Sequence, residues 1–228
     1  MNILVIDTAT EACSVALQIS GQIYNRFEVC PQQHSQRILP MIDEVLKEAN
    51  VVLNDLEYLG FGRGPGSFTG VRIATGILQG LALGTGHKVV GISTLATMAQ
   101  QACEQFSAKN VLAAIDARMS EVYFAEYSFE QETVELVTEE HVLPPEQAVT
   151  TIVSDKQYSG VGTGWGAYDN LSPNSQVTVL GDILYPNALY MLPLAKKQIA
   201  AGLAVEVEDI QPVYLRDKVT WKKLPGRE

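Results

Sequence analysis

Ile3, Leu4, Val5 and Ile6 form an unbroken apolar run that ends on Asp7, and an alternating stretch follows through Ser14, Val15, Ala16 and Leu17. A short apolar run bounded by turn formers predicts a buried strand, and the alternation predicts a second strand beside it. A third strand is predicted over residues 23–29, after a turn at Gly21. The period then changes. Ile38, Met41, Ile42, Val45, Leu46 and Ala49 recur at steps of three and four, which predicts an amphipathic helix with Ser35 as its N-cap and Pro40 bending the first turns. A short strand at 59–62 leads into the loop Gly62-Arg63-Gly64-Pro65-Gly66-Ser67-Phe68-Thr69-Gly70; residues 71–83 predict a second helix, 88–92 a strand and 94–103 a third helix.

After Asn110 the pattern restarts. Val111-Leu112-Ala113-Ala114-Ile115-Asp116 repeats the apolar run closed by Asp, and residues 122–127 repeat the second strand. Asp7 and Asp116 stand 109 residues apart, close to half of the 228-residue chain. Duplicated lobes would produce this spacing; two unrelated hairpins that both end in Asp are the alternative. A strand near 134–142, a helix over 145–153, a turn at Gly160-Val161-Gly162-Thr163-Gly164-Trp165 and a helix over 187–201 complete the pattern. The expected organisation is an α/β lobe over 1–110, a second over 111–213 and a tail over 214–228.

Composition sharpens this picture. With 46% hydrophobic and 18% charged residues the chain carries enough apolar surface to fold. Its net charge of −10 argues against unaided nucleic-acid binding. The charge is uneven. Residues 1–110 hold 7 Lys+Arg against 9 Asp+Glu and 111–213 hold 4 against 15, whereas 214–228 hold 5 against 2. Seven glutamates fall within 126–146, a stretch with no Lys or Arg. There is neither a basic leader nor an apolar stretch of about 20 residues, so no membrane association is expected. Three widely spaced cysteines, Cys13, Cys30 and Cys103, suit a reducing, cytoplasmic setting and read as core residues.

Candidate chemistry is sparse. The loop from Gly64 to Gly70 has the glycines to turn backbone N–H groups toward an anion, yet it lacks the Lys-Ser/Thr of a P-loop and any GxGxxG spacing; Ser67 or Thr69 capping the next helix is the structural alternative. The histidines His34, His87 and His141 form no HExxH or HxxxH pair, because Ile38 stands four residues after His34. No GxSxG elbow is present. Asp7 and Asp116 would flank a phosphate or magnesium ion if the hairpins face each other, or else bond turn amides. The second helix is unusually thin, with Gly70, Ala74, Gly76, Gly80, Ala82 and Gly84. Each interior Gly costs about 1 kcal/mol relative to Ala, and close backbone approach, to its own sheet or to another chain, is the usual compensation. The Gly76 to Gly80 spacing, with Arg72 and Ile73 nearby, leaves a helix-to-helix interface as one of these two readings.

Several segments together resemble the TsaB family, also called YeaZ. These are Ile6-Asp7-Thr8-Ala9-Thr10-Glu11-Ala12-Cys13-Ser14, His34-Ser35 ahead of Leu39-Pro40, Gly64-Pro65-Gly66-Ser67-Phe68-Thr69-Gly70-Val71-Arg72, Asp116-Ala117-Arg118, Gly162-Thr163-Gly164-Trp165 and Pro212-Val213-Tyr214-Leu215-Arg216. The resemblance implies an actin-like ATPase fold of two RNase-H-like lobes, each opening on a phosphate-facing hairpin. It also implies an accessory, noncatalytic role in forming N6-threonylcarbamoyladenosine at position 37 of tRNA. In that picture the chain forms a heterodimer with the transferase TsaD, the ATPase TsaE completes the assembly and tRNA is met through the complex; the isolated chain is expected to form a homodimer through the same surface, because an exposed apolar patch takes a substitute partner.

The pairing surface implied lies on the first two helices and maps to Leu39, Ile42, Arg72, Ile73, Gly76, Ile77 and Gly80. Vestigial nucleotide contact maps to Asp7, Thr8, Thr10 and Asp116, with no bound cofactor beyond weak or shared ATP or ADP in the complex. Ala117, Arg118 and Met119 replace the small residues that grip phosphate, and no metal site is expected. The acidic second lobe is expected to face away from tRNA. Two other classes stay open: a peptidase or actin-like phosphotransferase acting alone, and direct tRNA binding by the basic tail from Arg216 to Arg227.

Overall fold

The computed structural model describes residues 1–152, 156–171 and 176–216. The first half of the chain supplies β1 (Ile3–Asp7), β2 (Ala12–Ile19), β3 (Gln22–Val29), α1 (His34–Ala49), β4 (Tyr58–Gly64), α2 (Phe68–Thr85), β5 (Lys88–Ser93) and α3 (Thr94–Phe106). The second supplies β6 (Asn110–Arg118), β7 (Glu121–Glu130), β8 (Thr133–Leu136), β9 (His141–Leu143), α4 (Pro145–Ala148), β10 (Tyr158–Val161), α5 (Gly164–Ala167), β11 (Val177–Val179) and α6 (Met191–Ala200).

The first sheet runs β3-β2-β1-β4-β5 and the second β8-β7-β6-β10-β11, with β9 added against β7. In each, the opening strand is antiparallel to the next and parallel to the strand that follows the intervening segment. Asp7 lies opposite Ser14 and Asp116 opposite Val122. The same order and the same strand senses, built twice, give the 109-residue spacing its cause. The fold is that of two RNase-H-like lobes of the actin-like ATPase class, and chance hairpins no longer account for it.

Strand periodicity sorts the core into layers. Ile3 and Val5 of β1, with Val111, Ala113 and Ile115 of β6, face a central layer that contains Leu95, Met98 and Ala99 of α3 and Met191, Leu192 and Ala195 of α6. Leu4 and Ile6 face the opposite way, onto α1 and α2, and Leu112 and Ala114 face the outer side of the second sheet. The helices of the central layer are exchanged: α3 packs on β6 and β7, and α6 packs on β5 and β1. Each half therefore contributes a helix to the other's sheet.

Several local expectations change. Helix α1 starts at His34 with no side-chain cap, so Ser35 lies within the first turn instead of capping it. Helix α2 is longer than its apolar pattern, because Ser67 accepts from the Gly70 amide at 3.4 Å and starts it three residues early. The strand expected near 134–142 divides into β8 and β9. The helix expected over 145–153 is the single turn of α4 followed by a 3₁₀ turn, and residue 153 lies outside the described residues. The final helix begins as a 3₁₀ turn capped by Asn187 before α6, whose Pro193 sits in the first turn where no N–H partner is needed. No helix among the described residues is long and apolar enough to cross a membrane.

Candidate functional site: a closed cleft and an open helix face

The turn between β1 and β2 is buried. Asp7 accepts from the Ala9 amide through Oδ1 at 2.9 Å, while its buried Oδ2 has no partner among the described residues. Thr8 donates from Oγ1 to the Gly70 carbonyl at 2.7 Å, and Thr10 accepts from the Ala12 amide at 3.4 Å. The Gly-rich loop lies directly on this turn: the Ser67 amide donates to the Ala9 carbonyl at 2.7 Å. An added Cβ at Gly66 or Gly70 would overlap the Ala9 or Thr8 carbonyl oxygen, and one at Gly62 would overlap Asp7 Oδ2. Gly66 and Gly70 let backbone meet backbone, and Gly62 leaves room for the Asp7 carboxyl. The loop packs where an anion cradle was one reading, and Thr8 spends its hydroxyl on protein.

Burial pushes the Asp7 carboxyl up to about 7, and the Ala9 amide opposes this only in part. An acid raised on folding favours the folded state below its unfolded pKa, and that contribution is lost as pH rises through the folded value. The chain is therefore expected to lose about 2–3 kcal/mol between pH 5 and pH 8 that Asp7→Asn does not lose. Urea titrations of both proteins at the two pH values check this; parallel pH profiles would refute an ionisable, buried Asp7.

Opposite this turn stands the second hairpin. Asp116 accepts from the Arg118 amide at 2.8 Å and from the Tyr168 hydroxyl at 2.6 Å, and pairs with the Arg118 guanidinium at 3.1 Å. Burial first, then the bond to Asp116, pushes the Tyr168 phenol up to about 12. Arg118, Met119 and Ser120 all have left-handed backbone, with φ of 62°, 58° and 60°. That turn sends the Arg118 side chain back across the cleft to Glu11 at 3.3 Å, joining the two hairpins. The four residues mapped to nucleotide contact thus divide: Asp7, Thr8 and Thr10 are buried under the loop, and Asp116 is occupied by Arg118 and Tyr168.

His34 points Nε2 at the Thr10 carbonyl, 2.7 Å away, and Ile38 is a core residue. Among the described residues no three His, Cys, Asp or Glu side chains converge as a metal-binding group. The three cysteines are buried as free thiols.

Helix α2 presents a different kind of surface. Phe68, Arg72, Gly76, Gly80 and Gly84 recur every fourth residue and are exposed. Cβ atoms built at Gly76, Gly80 and Gly84 meet nothing within 4 Å, in contrast to Gly70 at the start of the same helix. Packing inside the chain explains Gly70 and leaves the other three unexplained. Around this thin stripe stand Phe68 at 54% exposure, Leu83 at 69% and, on α1, Leu39 at 47%. Ile73 and Ile77 are half-buried against the core below. Ile42 is a correction: only 3% exposed, it faces the sheet with Ile38 and Val45 and is not available as a contact. Beside Gly80 and Gly84 a depression of about 410 Å³ opens, bounded by Val52 and Leu53.

Tertiary structure adds residues to this face that helix periodicity could not supply. Arg72 lies 3.6 Å from the Phe68 ring centroid and donates from Nε to the Tyr214 hydroxyl at 3.0 Å. The Tyr214 ring stacks at a tilt on Phe68, 5.5 Å between centroids. Tyr214 arrives on a strap fixed by the Val213 amide donating to the Arg63 carbonyl at 2.8 Å, and by Arg216 binding Glu121 and the Ala117 carbonyl. Arg216 is therefore engaged in the second lobe and is not a free cation for tRNA; residues 217–228, with the other tail cations, lie outside the described residues. The acidic stretch is likewise no uniform solvated face. Glu126 is buried and accepts from Tyr158, Glu135 pairs with Lys197, and Glu140 accepts from Tyr127.

The family model described as TsaD, tRNA N6-adenosine threonylcarbamoyltransferase, matches residues 25–224. The tRNA threonylcarbamoyladenosine biosynthesis protein TsaB of Escherichia coli K12 is 51% identical over 236 aligned positions, covering 100% of both chains. The solved structure of YeaZ from Pseudomonas aeruginosa superposes with a TM-score of 0.89 at 45% identity, covering 94% of this chain and 99% of that one. A second Pseudomonas aeruginosa structure, described as an uncharacterized protein similar to peptidase YeaZ, superposes at 0.87 with 44% identity over 94% and 99%.

Proposed function

The chain belongs to the TsaB family of tRNA threonylcarbamoyladenosine biosynthesis proteins, and from that premise we propose that it is a noncatalytic subunit which pairs with a TsaD-type transferase through the outer face of α2. The observation that carries the reading is the glycine stripe. A helix that accepts three interior glycines with open space above each one is thinned for the approach of a second helix, not for its own fold. Phe68, Arg72 and Tyr214 at one end and Leu83 at the other provide the aromatic, cationic and aliphatic anchors that concentrate binding energy at interfaces.

The closed cleft supports the noncatalytic part. A phosphate approaching the first turn meets the Gly66 to Gly70 loop, and one approaching the second meets Arg118 seated between Asp116 and Glu11. On this reading the transferase partner supplies the chemistry in the cytoplasm, a TsaE-type ATPase completes the assembly, tRNA is met through the complex, and the isolated chain self-associates through the same face.

Reconstitution tests the whole reading. Threonylcarbamoyl transfer to tRNA by a TsaD-type and a TsaE-type protein is expected to fall to background when this chain is left out; undiminished transfer without it would sink the proposal. The orphaned Oδ2 of Asp7 favours one other reading, an actin-like phosphotransferase acting alone. ATP hydrolysis by the isolated chain that disappears in Asp7→Asn would establish that reading in place of the noncatalytic one.

A further inference from the structure

On the far side of the first sheet from α2, a cavity of about 230 Å³ lies between β5, β8 and α6. It is smaller than the roughly 300–1,000 Å³ of sites for drug-sized ligands, so an occupant of a few heavy atoms fits it. Its walls are of two kinds. Ile92, Val134, Leu194 and Leu203 form an aliphatic side, and Arg63, Ser93, Tyr127 and Glu140 a polar one. Lys197 and Glu135 pair with each other across the rim and so neutralise one another.

The polar wall is half completed. Glu140 is brought in by the residues between β8 and β9, and its Oε1 accepts from Ser93 and from Tyr127, the latter at 2.8 Å. Arg63 reaches the cavity by laying its stem over Gly91, where an added Cβ would stand 3.2 Å from the Arg63 Cβ. Its guanidinium enters no ion pair among the described residues, and its Nε is buried without a hydrogen-bond partner. Tyr127 lies within electrostatic reach of both charges: burial first, then Glu140, pushes its phenol well above the ordinary range, and Arg63 pulls it back. A carboxylate and a guanidinium thus line one cavity together with Tyr127, and among the described residues they form no ion pair with each other. Leaving a buried donor unmet costs about 1–3 kcal/mol, more when it is charged, and a planar carboxylate is the group that satisfies a guanidinium through two parallel hydrogen bonds.

We propose that this cavity binds a small aliphatic α-amino acid, its carboxylate on Arg63, its ammonium on Glu140 and its side chain against Ile92, Val134, Leu194 and Leu203. The zwitterion completes both charges, adds no net charge to the site, and fills the aliphatic side with apolar surface. No step of the proposed pairing function depends on this site, which lies on a different face from α2.

Isothermal titration of the full chain with L-alanine, L-valine and L-leucine is expected to show one site, whereas isovalerate and isobutylamine, which are valine without its amine and without its carboxylate, bind at least about tenfold more weakly. Arg63→Gln and Glu140→Gln are each expected to weaken the amino acids by about tenfold or more. Circular dichroism and urea midpoints identify a variant that has merely lost its fold, and Glu140→Gln keeps an oxygen to accept from Ser93 and Tyr127, so at least one variant remains interpretable. Absence of heat with all three amino acids up to about 10 mM would overturn the proposal. Equal affinity for isovalerate would overturn it too, because the cavity would then be a simple anion site.

Discussion

A chain carrying Gly80→Trp is expected to fold as the wild type does and to lose pairing with a TsaD-type transferase by about a hundredfold or more. The reason is geometric. Nothing lies within 4 Å of a Cβ at Gly80, so the indole projects into solvent in the free chain and strains no neighbour. A second helix seated on this stripe meets the indole where it needs backbone. Gly76→Trp is expected to act in the same way, and because the proposed self-association uses the same face, both variants are expected to stay monomeric at concentrations where the wild type would then dimerise. Affinity by titration calorimetry, sedimentation and tRNA modification in the reconstituted system read the effect. Wild-type pairing by both variants would show that α2 is not the interface.

Gly70→Ala, in the same helix, is expected to destabilise the chain by about 3 kcal/mol or more, enough to deplete soluble protein. Its added methyl would overlap the Thr8 carbonyl oxygen, which belongs to the backbone of the β1–β2 turn and cannot swing aside. That displacement would also break the Thr8 hydroxyl bond to the Gly70 carbonyl. By contrast Gly76→Ala, Gly80→Ala and Gly84→Ala are each expected to stabilise the free monomer by about 0.5–1 kcal/mol, since Ala restricts the unfolded chain and meets open space in the folded one. The same substitution therefore changes sign within one helix. Urea unfolding at concentrations where the chain is monomeric measures all four. Destabilisation of similar size at Gly76 and Gly70 would mean that the outer face is packed within the chain.

Periodicity reached far in this protein because its elements are local. The run Ile3 to Ile6, its copy at Val111 to Ile115 and the steps of three and four through α1 required only near neighbours, and the duplication was readable from two aspartates 109 residues apart. Boundaries were less legible. Ser67 starts α2 before the first apolar position, and β8 and β9 separate where residues 137–140 turn inward to deliver Glu140, a bond made with Ser93 on the far lobe.

The thinness of α2 was visible as composition, but composition could not separate its two kinds of glycine. Gly70 and Gly80 are the same residue in the same helix, and which one faces a carbonyl and which faces open space depends on a turn 62 residues earlier in the chain. Ile42 met the periodicity of a contact residue and lies in the core, since its step along α1 places it on the sheet side. Tyr214 joins Arg72 across 142 residues, and Arg63 shares a cavity with Glu140 from the other lobe. By itself, then, the sequence determined the two lobes, the strand that opens each and the helix short of side chains, because those follow from spacing along the chain. The tertiary structure alone decided which glycines are filled by backbone, which hydroxyls are already used and which charges are left unmatched, because each depends on distances between segments that no local pattern encodes.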